Sequence, residues 1–293
     1  MSDAGAPVAI VTGASRGIGR AIAMQLAGDG HAVAMVARSR APLEELAASL
    51  GVDCRIDRGR QHAGKPQADD RARGDALQTS RQPVQSQRGA SLVLAADLRE
   101  RDAAQQVVDA TLNRFGRIDV LVNNAGATPR GDFLALSDAD WDDGFALKFF
   151  GAMRLCRAAW PALVASQGCI VNIAGIGGRT GNAEFAIGGS VNAALLNLTK
   201  SLADRGVRDG VRVNAVNPSS IATERTRKRI ETLAGERGIA PQQAAGELAR
   251  QLRVARFGTP EEIARVVAFL ASPGASYMQG AIVDVDGGQT RTL

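Results

Sequence analysis

Short apolar runs alternate with longer amphipathic stretches along most of the chain. Strands that are buried on both faces of a parallel sheet are continuously apolar, whereas amphipathic helices repeat with a period of 3.6 residues. The alternation predicts one domain over residues 1–293, of the α/β class, with a doubly wound parallel sheet and helices on both faces. The predicted strands are 8–11, 32–36, 92–94, 118–122, 169–173, 211–216 and 281–284, and the predicted helices are 17–29, 41–50, 99–115, 137–166, 183–206 and 260–271.

Residues 51–90 interrupt this alternation. The segment contains seven Arg and one Lys against five Asp, and it has no Phe, Tyr or Trp. Such a composition buries too little apolar surface to offset the entropy lost on ordering. We expect a polar insertion that is disordered or loosely packed, with a regulatory or partner-binding arm as the alternative. Nucleic acid is not an expected partner, since the segment lacks interleaved aromatic residues.

Composition narrows the function further. The chain has 293 residues, a formal net charge of +5, 45% hydrophobic and 22% charged residues, which is ordinary for a globular protein. Apolar runs fall short of the ~20 residues that span a bilayer, and no signal peptide is evident, so we expect a cytoplasmic protein without a membrane partner. Three scattered Cys and two His predict neither a disulfide framework nor a metal site.

A glycine-rich segment joins the first strand to the first helix. Residues 12–19 read Thr-Gly-Ala-Ser-Arg-Gly-Ile-Gly. Glycines let the backbone turn tightly and approach a pyrophosphate, and the helix N-terminus adds free N–H groups and a positive dipole. At this junction the segment predicts a phosphate cradle. A tight structural turn is the alternative.

Further motifs follow in a fixed order: Asp-Leu at 97–98, Asn-Asn-Ala-Gly at 123–126, Asn-Ala-Val-Asn-Pro at 214–218 and Asp-Gly-Gly at 286–288. With the glycine segment, they resemble the short-chain dehydrogenase/reductase family over nearly the whole chain except 51–90. The resemblance implies a single Rossmann domain, a nicotinamide cofactor, a small-molecule substrate and assembly as a homodimer or homotetramer. The cofactor residues that it implies are Gly13, Ser15, Arg16, Ile18 and Gly19 at the diphosphate, Asp97 and Leu98 at the adenine, Asn123, Ala125 and Gly126 at the middle, and Pro218, Ile221 and Thr223 at the nicotinamide end.

Cofactor choice depends on the residue after the second strand. An acid there binds a ribose 2′-hydroxyl and repels a 2′-phosphate. This chain has Arg38-Ser39-Arg40 at that place, and Arg16 lies in the glycine segment. Since guanidinium groups suit phosphate, we expect NADP(H) to be favoured over NAD(H), with Arg38 as a contact. The alternative is that Arg38 and Arg40 only face solvent.

The catalytic positions depart from the family pattern. The resemblance implies an Asn-Ser-Tyr-Lys tetrad, in which Tyr transfers a proton, Lys lowers the pKa of Tyr and holds the ribose, Ser polarises the carbonyl oxygen and Asn holds a water. An alignment without gaps gives Lys148, Gly175, Gly188 and Asn192 at these four positions, in chain order. The single tyrosine, Tyr277, falls at a structural turn near the C-terminus. The sequence therefore predicts a degenerate tetrad.

Three functions fit this pattern. A reductase with substituted chemistry would use Lys148 and Asn192 as catalytic residues, since a desolvated lysine has a lowered pKa and can donate a proton. Its substrate would be a small carbonyl, enone or imine. The alternatives are an NADP(H)-binding pseudoenzyme that acts as a sensor or regulatory subunit, and a structural partner in a mixed oligomer. Without any function, Lys148 would simply extend into solvent, and Gly188 would allow two helices to pack closely.

Residues 221–257 correspond to the substrate lid of the family. The segment contains seven Arg and one Lys against four Glu. A cationic lid suits an anionic substrate, such as a carboxylate or a coenzyme A ester. Solvated helix faces explain the same composition.

Overall fold

The computed structural model describes residues 5–50, 54–56 and 89–291. Within these ranges, eight parallel strands form one sheet in the order β3-β4-β2-β1-β5-β6-β7-β8. The predicted doubly wound fold is confirmed. The strands are β1 (Val8–Thr12), β2 (Ala32–Ala37), β3 (Cys54–Ile56), β4 (Ser91–Ala95), β5 (Val120–Asn123), β6 (Cys169–Ile173), β7 (Arg212–Pro218) and β8 (Ile282–Val285).

Helices cover both faces of this sheet. The predicted helix at 137–166 is divided into two α-helices by a π-helical turn, Ala146–Gly151. Side-chain capping boxes begin two of the helices, with Ser137 and Asp140 at one and Thr259 and Glu262 at the other. The helices are α1 (Gly17–Gly28), α2 (Ala41–Ser49), α3 (Ala103–Phe115), α4 (Asp138–Phe145), α5 (Ala152–Ser166), α6 (Ala186–Asp209), α7 (Glu224–Arg237), α8 (Pro241–Gln251) and α9 (Pro260–Ala271).

The core consists of two apolar layers, one on each face of the sheet. Successive side chains of a strand point to opposite faces. In β1, Ala9 and Val11 therefore enter the layer beneath α1, α2 and α9, while Val8 and Ile10 enter the layer beneath α3 and α5. Burial of each large side chain contributes about 1.5–3 kcal/mol. The central strands are thus held from both sides, which positions the loops at their ends.

The polar insertion is described only in part. Residues 54–56 form β3, which pairs with β4 from Cys54 opposite Ser91 to Ile56 opposite Val93. Main-chain hydrogen bonds hold such an edge strand, which requires little apolar burial. That the insertion as a whole is disordered or loosely packed stays a prediction. Residues 51–53 and 57–88 lie outside the described ranges.

Residues 221–257 form a helical insertion, α7 and α8, at the carboxyl edge of the sheet. Its two ends are joined, since Ala222 N donates to Gly258 O at 2.7 Å and Gly258 N donates to Ser220 O at 3.1 Å. Between them, α7 and α8 pack against each other, and Ala234 is the buried residue of α7. None of the helices in the described part of the chain is long and apolar enough to cross a membrane.

A buried polar network connects the sheet to α6. Asn123 Nδ2 donates to Asn172 Oδ1 at 2.9 Å, and Asn172 Nδ2 donates to Thr199 Oγ1 at 2.9 Å. Thr199 Oγ1 in turn donates to Leu195 O at 2.8 Å. A buried network of this kind fixes one arrangement, because each unpaired group would lose its hydration without compensation. It therefore sets the position of α6 relative to β5 and β6.

Replacing Asn172 with alanine tests this network. The variant leaves Asn123 and Thr199 without their buried partner, so we expect the free energy of unfolding to fall by about 2–3 kcal/mol. Ser201→Ala is the control, since the Ser201 hydroxyl donates to Asn197 O on the exposed side of the same helix. We expect a change below about 0.5 kcal/mol there. Equal losses in urea-induced unfolding of both variants would contradict a stabilising role for the network.

Candidate cofactor and catalytic site

The carboxyl edge of the sheet contains a crevice between β1 and β5. From β1 the chain winds outward to β2 and β4 on one side, and from β5 it winds to β6, β7 and β8 on the other. Open α/β sheets bind ligands at this reversal, where the two adjacent loops diverge. The residues predicted to bind a cofactor lie in the loops that follow β1, β2, β4, β5 and β7 or at the last residues of β5 and β7, and all of these positions are at this edge.

The glycine loop after β1 requires its glycines. Gly13 and Gly17 have φ angles of +67° and +54°, in the left-handed region. A methyl group at Gly19 would collide with the Gly13 carbonyl oxygen and with Asn124 Nδ2. The N-cap residue of α1, Arg16, makes no side-chain capping hydrogen bond. The first N–H groups of α1 thus have no side-chain cap, and the loop has the shape and polarity of a phosphate cradle.

Two residues outside the predicted set hold this loop in place. Thr12 Oγ1 accepts hydrogen bonds from Asn124 N and Ala125 N, both at 2.9 Å, and donates to Val122 O at 3.2 Å. Asn124 Nδ2 donates to Thr12 O at 2.9 Å. Both residues lie within the motifs at 12–19 and 123–126, but only neighbouring residues of these motifs were predicted to contact the cofactor. The contacts connect the loop after β1 directly to the loop after β5.

Residues at the middle of the predicted cofactor path differ in how they face the crevice. The Asn123 side chain is buried in the network with Asn172, so only its main chain can face a cofactor. Ala125 and Gly126 leave β5 toward the crevice, and Gly126 lies against the aliphatic stem of Lys148. A methyl group at Gly126 would lie 2.8 Å from Lys148 Cδ.

At the adenine end, Asp97 and Leu98 follow β4. Leu98 is buried against Gly151. Asp97 Oδ1 accepts from Arg99 N at 3.1 Å and from Arg99 Nη1 at 3.4 Å. Arg99 also forms a bidentate pair with Asp143, which lowers the pKa of Asp143. The structure thus fixes the loop after β4 against α4.

The predicted phosphate-binding arginines lie at the rim of the crevice. Arg38 directly follows β2 and is exposed, and its charge makes a small contribution to the lowered pKa of Asp143 after that of Arg99. Arg16 lies 3.7 Å from Glu224, and most of its side chain is exposed. Both guanidinium groups are accessible to a ligand.

At the nicotinamide end, the loop after β7 approaches the glycine loop. Pro218 ends β7, Ile221 forms a bridge with Gly258, and Thr223 is the N-cap residue of α7. A methyl group at Gly17 would lie 3.3 Å from Thr223 Cγ2. The two loops therefore close the far end of the crevice.

Lys148 points into this end of the crevice instead of toward solvent. It lies in the π-helical turn 146–151, and its Nζ donates to Ala174 O at 2.6 Å. Burial, and secondly the charge of Arg225, lower the pKa of Lys148 to about 8. The ammonium group thus connects the carboxyl ends of β5 and β6, and its pKa lies closer to neutral pH than that of an exposed lysine.

Asn192 faces the same turn from α6. It is 3% exposed, and its Oδ1 is buried without a hydrogen-bond partner in the described part of the chain. Gly175, with φ of +150°, adopts a conformation that side chains rarely allow, and a methyl group there would lie 2.9 Å from Asn192 Nδ2. The structure brings Lys148 and Asn192 together at residues 174–175, as a shared site requires.

The ring of Phe185 occupies the space beside Gly188. A methyl group at Gly188 would collide with that ring, and one at Gly177 would lie 2.9 Å from Phe185 Cε1. Arg130 stacks on the ring, with its guanidinium carbon 4.6 Å from the ring centroid. The contact with Phe185 in the same subunit therefore explains the small residue at 188. The sequence pattern did not predict this contact.

Other reactive groups lie away from this site or are inert. Tyr277 is fully exposed and precedes β8, so it lies at the amino edge of the sheet, opposite the crevice. Burial raises the pKa of Cys156 to about 12 and that of Cys169 to about 11. In the described ranges, no group of three or more His, Cys, Asp and Glu side chains could hold a metal ion.

Known proteins are similar to this chain over nearly its whole length. The family model described as Enoyl-(Acyl carrier protein) reductase matches residues 71–290, and the short chain dehydrogenase model matches residues 7–61. The 3-oxoacyl-(acyl-carrier-protein) reductase FabG of Staphylococcus aureus is 31% identical, with 96% of each chain covered. The (3R)-3-hydroxyacyl-CoA dehydrogenase of Rattus norvegicus is 33% identical, with 96% of this chain and 95% of the relative covered.

Among solved structures, L-sorbose reductase from Gluconobacter frateurii, in complex with NADPH and L-sorbose, superposes with a TM-score of 0.83. It is 29% identical and covers 99% of this chain and 98% of its own. The family models, these relatives and the geometry of the crevice agree, and the chain belongs to the short-chain dehydrogenase/reductase family.

Proposed function

We propose that this protein is an NADP(H)-dependent oxidoreductase that acts on a small carbonyl, enone or imine substrate, with Lys148 as its acid/base group. The observation that carries the proposal is the inward-facing ammonium of Lys148, 2.6 Å from Ala174 O and with a pKa lowered to about 8. A group with such a pKa, at the end of a nucleotide crevice, suits proton transfer near neutral pH.

The residues of the crevice fit a nicotinamide dinucleotide. The glycine loop has the tight left-handed turns of a phosphate cradle, and the N-cap residue of α1 makes no side-chain cap to its first N–H groups. Asn192 Oδ1 is a buried acceptor without a donor among the described residues, and a ribose hydroxyl would supply one. When bound, the cofactor supplies or accepts a hydride. The L-sorbose reductase complex contains NADPH, which supports this cofactor class.

Discrimination against NAD(H) rests on the rim arginines. Arg38 follows β2 directly and is exposed at the carboxyl edge of the sheet, where the adenine ribose of a cofactor in this fold would lie. Its guanidinium would form charge-assisted hydrogen bonds with a 2′-phosphate. We therefore infer that NADP(H) is bound in preference to NAD(H).

The family tetrad is degenerate in this proposal. Glycine at 175 and at 188 offers no side chain for carbonyl polarisation or proton transfer, and the ring of Phe185 fills the space beside Gly188. Lys148 takes over the proton transfer: its ammonium has three donors, of which Ala174 O engages one. Nζ releases a proton to the substrate heteroatom during reduction and regains it from solvent. Polarised enones and imines are the most suitable substrates, because their reduction needs little acid catalysis.

One observation favours an alternative without catalysis. Neither position 175 nor position 188 has a reactive side chain. An NADP(H)-binding pseudoenzyme that acts as a sensor or a regulatory or structural subunit would share the cradle and need none. Loss of turnover on replacement of Lys148 separates the two functions.

A homodimer or homotetramer is the proposed assembly, with residues 221–257 as a lid over the substrate. Exposed apolar side chains lie at or near α5 and on α6, namely Phe150, Val164 and Val207. Contact between copies through these helices would remove this apolar surface from water. The joined ends of the segment 221–257 would let α7 and α8 move as a unit.

Arg38→Gln tests the cofactor preference. Wild-type protein should bind NADPH more tightly than NADH, and the variant should lose about tenfold in NADPH affinity while NADH affinity is unchanged, since only NADPH has the 2′-phosphate. Nicotinamide fluorescence titration measures both. Arg265→Gln, which removes an exposed arginine from α9, is the charge-matched control. Equal effects of the two variants would contradict a specific contact from Arg38.

Thr12→Val tests the lock on the glycine loop. The variant keeps the shape of the side chain but removes the acceptor of two N–H groups, so NADPH affinity should fall about tenfold or more. Thr111→Val is the control, because the equally buried Thr111 bonds only to Val107 O of its own helix. NADPH affinity should be unchanged in the control, and identical affinities in both variants would exclude the lock.

The pH dependence of reduction tests Lys148. If the ammonium donates the proton, kcat/KM is constant below pH of about 8 and falls tenfold per unit above it, because only the protonated form is active. Lys148→Arg should turn over slowly, because guanidinium releases its proton poorly, and its residual activity should show no fall near pH 8. Lys148→Met should lose turnover but bind NADPH.

Lys200→Met is the control for that experiment, since Lys200 is an exposed lysine of α6. The assay uses NADPH oxidation with a panel of carbonyl, enone and imine compounds. Full activity in Lys148→Met would remove Lys148 from the mechanism. Binding of NADPH without oxidation by any compound of the panel would favour the pseudoenzyme.

A further inference from the structure

The side chain of Asn217 connects β8 to the turn after β6. Asn217 is fully buried on β7, opposite Asp284 of β8. Its Oδ1 accepts from Gly175 N at 2.8 Å, and its Nδ2 donates to Asp284 Oδ1 at 2.9 Å. The other carboxylate oxygen of Asp284 accepts from Arg179 Nη1 at 2.6 Å. The two hydrogen bonds of the Asn217 side chain, called here the Asn217 bridge, thus join a partly exposed ion pair to a buried turn.

The same turn contacts Lys148 from its other side. The peptide group between residues 174 and 175 directs its N–H to Asn217 and its carbonyl oxygen to Lys148 Nζ, 2.6 Å away. The φ angle of Gly175 is +150°, in a region that residues with a side chain rarely adopt. Because glycine is also free to adopt other conformations, the direction of this peptide depends on the groups that it contacts.

The carboxylate of Asp284 sets the orientation of the Asn217 amide. A carboxamide has one end that donates and one end that accepts, whereas an ionised carboxylate only accepts. Asp284 therefore takes Nδ2, and Oδ1 is left to face Gly175 N. A reversed amide would place two donors against each other, and a reversed peptide would place its N–H against the ammonium group of Lys148. Either reversal would leave buried groups unpaired, which costs free energy.

We propose that Asn217 and Asp284 are positioning residues for Lys148. Through the Asn217 bridge they hold the carbonyl of residue 174 toward the ammonium group, which stabilises the charged form of the lysine. Hydrogen bonds in series polarise one another, so the carboxylate at the far end makes this carbonyl a stronger acceptor. The bridge opposes burial and the charge of Arg225, which lower the pKa of Lys148.

This role rests on the proposed function of Lys148 as an acid, but titration of the ammonium group tests the contact without turnover. Asn217→Leu breaks the bridge and changes no charge. The pKa of Lys148 should fall by about one unit, because the ammonium group loses its fixed acceptor. NMR titration of protein that contains ¹³C-labelled lysine measures this pKa, and Lys148→Met assigns its signal among the four lysines of the chain.

The reduction assay gives a second readout on the same variant. Only the protonated lysine is active in the proposed mechanism, so the fall of kcat/KM should move to lower pH by the same amount as the pKa of Lys148. NADPH affinity is measured in parallel by nicotinamide fluorescence. Full activity in Lys148→Met, together with a shifted lysine titration in Asn217→Leu, would reject the proposed function and support the positioning of Lys148.

Asn214→Leu is the matched control. Asn214 is equally buried on β7 and also bridges toward β8, since it donates to Met278 O at 3.0 Å and accepts from Ala281 N at 2.8 Å. Unfolding in urea should show a loss of stability in both variants, but the pKa of Lys148 should be unchanged in Asn214→Leu. Equal shifts in the two variants, or an unshifted Lys148 in Asn217→Leu, would overturn the proposal.

Arg179→Met/Asp284→Leu tests the bridge from its other end and replaces Asn217→Leu if that variant does not fold. Both side chains are partly exposed, and the net charge of the protein stays the same. Without the carboxylate the Asn217 amide is free to rotate, so the pKa of Lys148 should again fall. An unchanged pKa in this variant would show that Asp284 does not position Lys148.

Discussion

The hydroxyl of Thr12 joins the two strands at which the chain reverses its winding. It accepts hydrogen bonds from two N–H groups of the loop after β5. The glycine loop begins at the residue that follows Thr12. Two loops that diverge would otherwise be free to separate, and the crevice between them would have no fixed width. Thr12 and Asn124 therefore set the distance between the glycine loop and Gly126, against which Lys148 lies.

Glycines have two different effects in this site. Gly13 and Gly19 let the loops after β1 and β5 approach each other closely, because side chains there would collide with Asn124 and with neighbouring main-chain atoms. The space at Gly188 is instead filled by the neighbouring ring of Phe185, and Gly175 adopts a backbone conformation that a serine would strain. A single substitution at either position would meet an occupied or strained site. The glycines at 175 and 188 are thus matched to the local structure around them.

Most of the fold could be predicted because buried parallel strands and helix periods are local patterns. The sequence placed seven strands, but β3 was missed since a polar edge strand depends on pairing with β4. It assigned Lys148 and Asn192 to one site by spacing. It could not give the direction of Lys148, which depends on the π-helical turn, or of Asn123, whose side chain turns inward to Asn172.

The charge of helix α7 acts on the proposed acid. Arg225 disfavours the protonated form of Lys148 in the unliganded protein. A carboxylate bound beside Arg225 would neutralise that influence, and the pKa of Lys148 would rise toward its ordinary value, although burial would still oppose it. The fraction of protonated Lys148 would then be larger in the substrate complex than in the free protein. A bound anion would therefore extend the protonated form of Lys148 to higher pH than in the free protein.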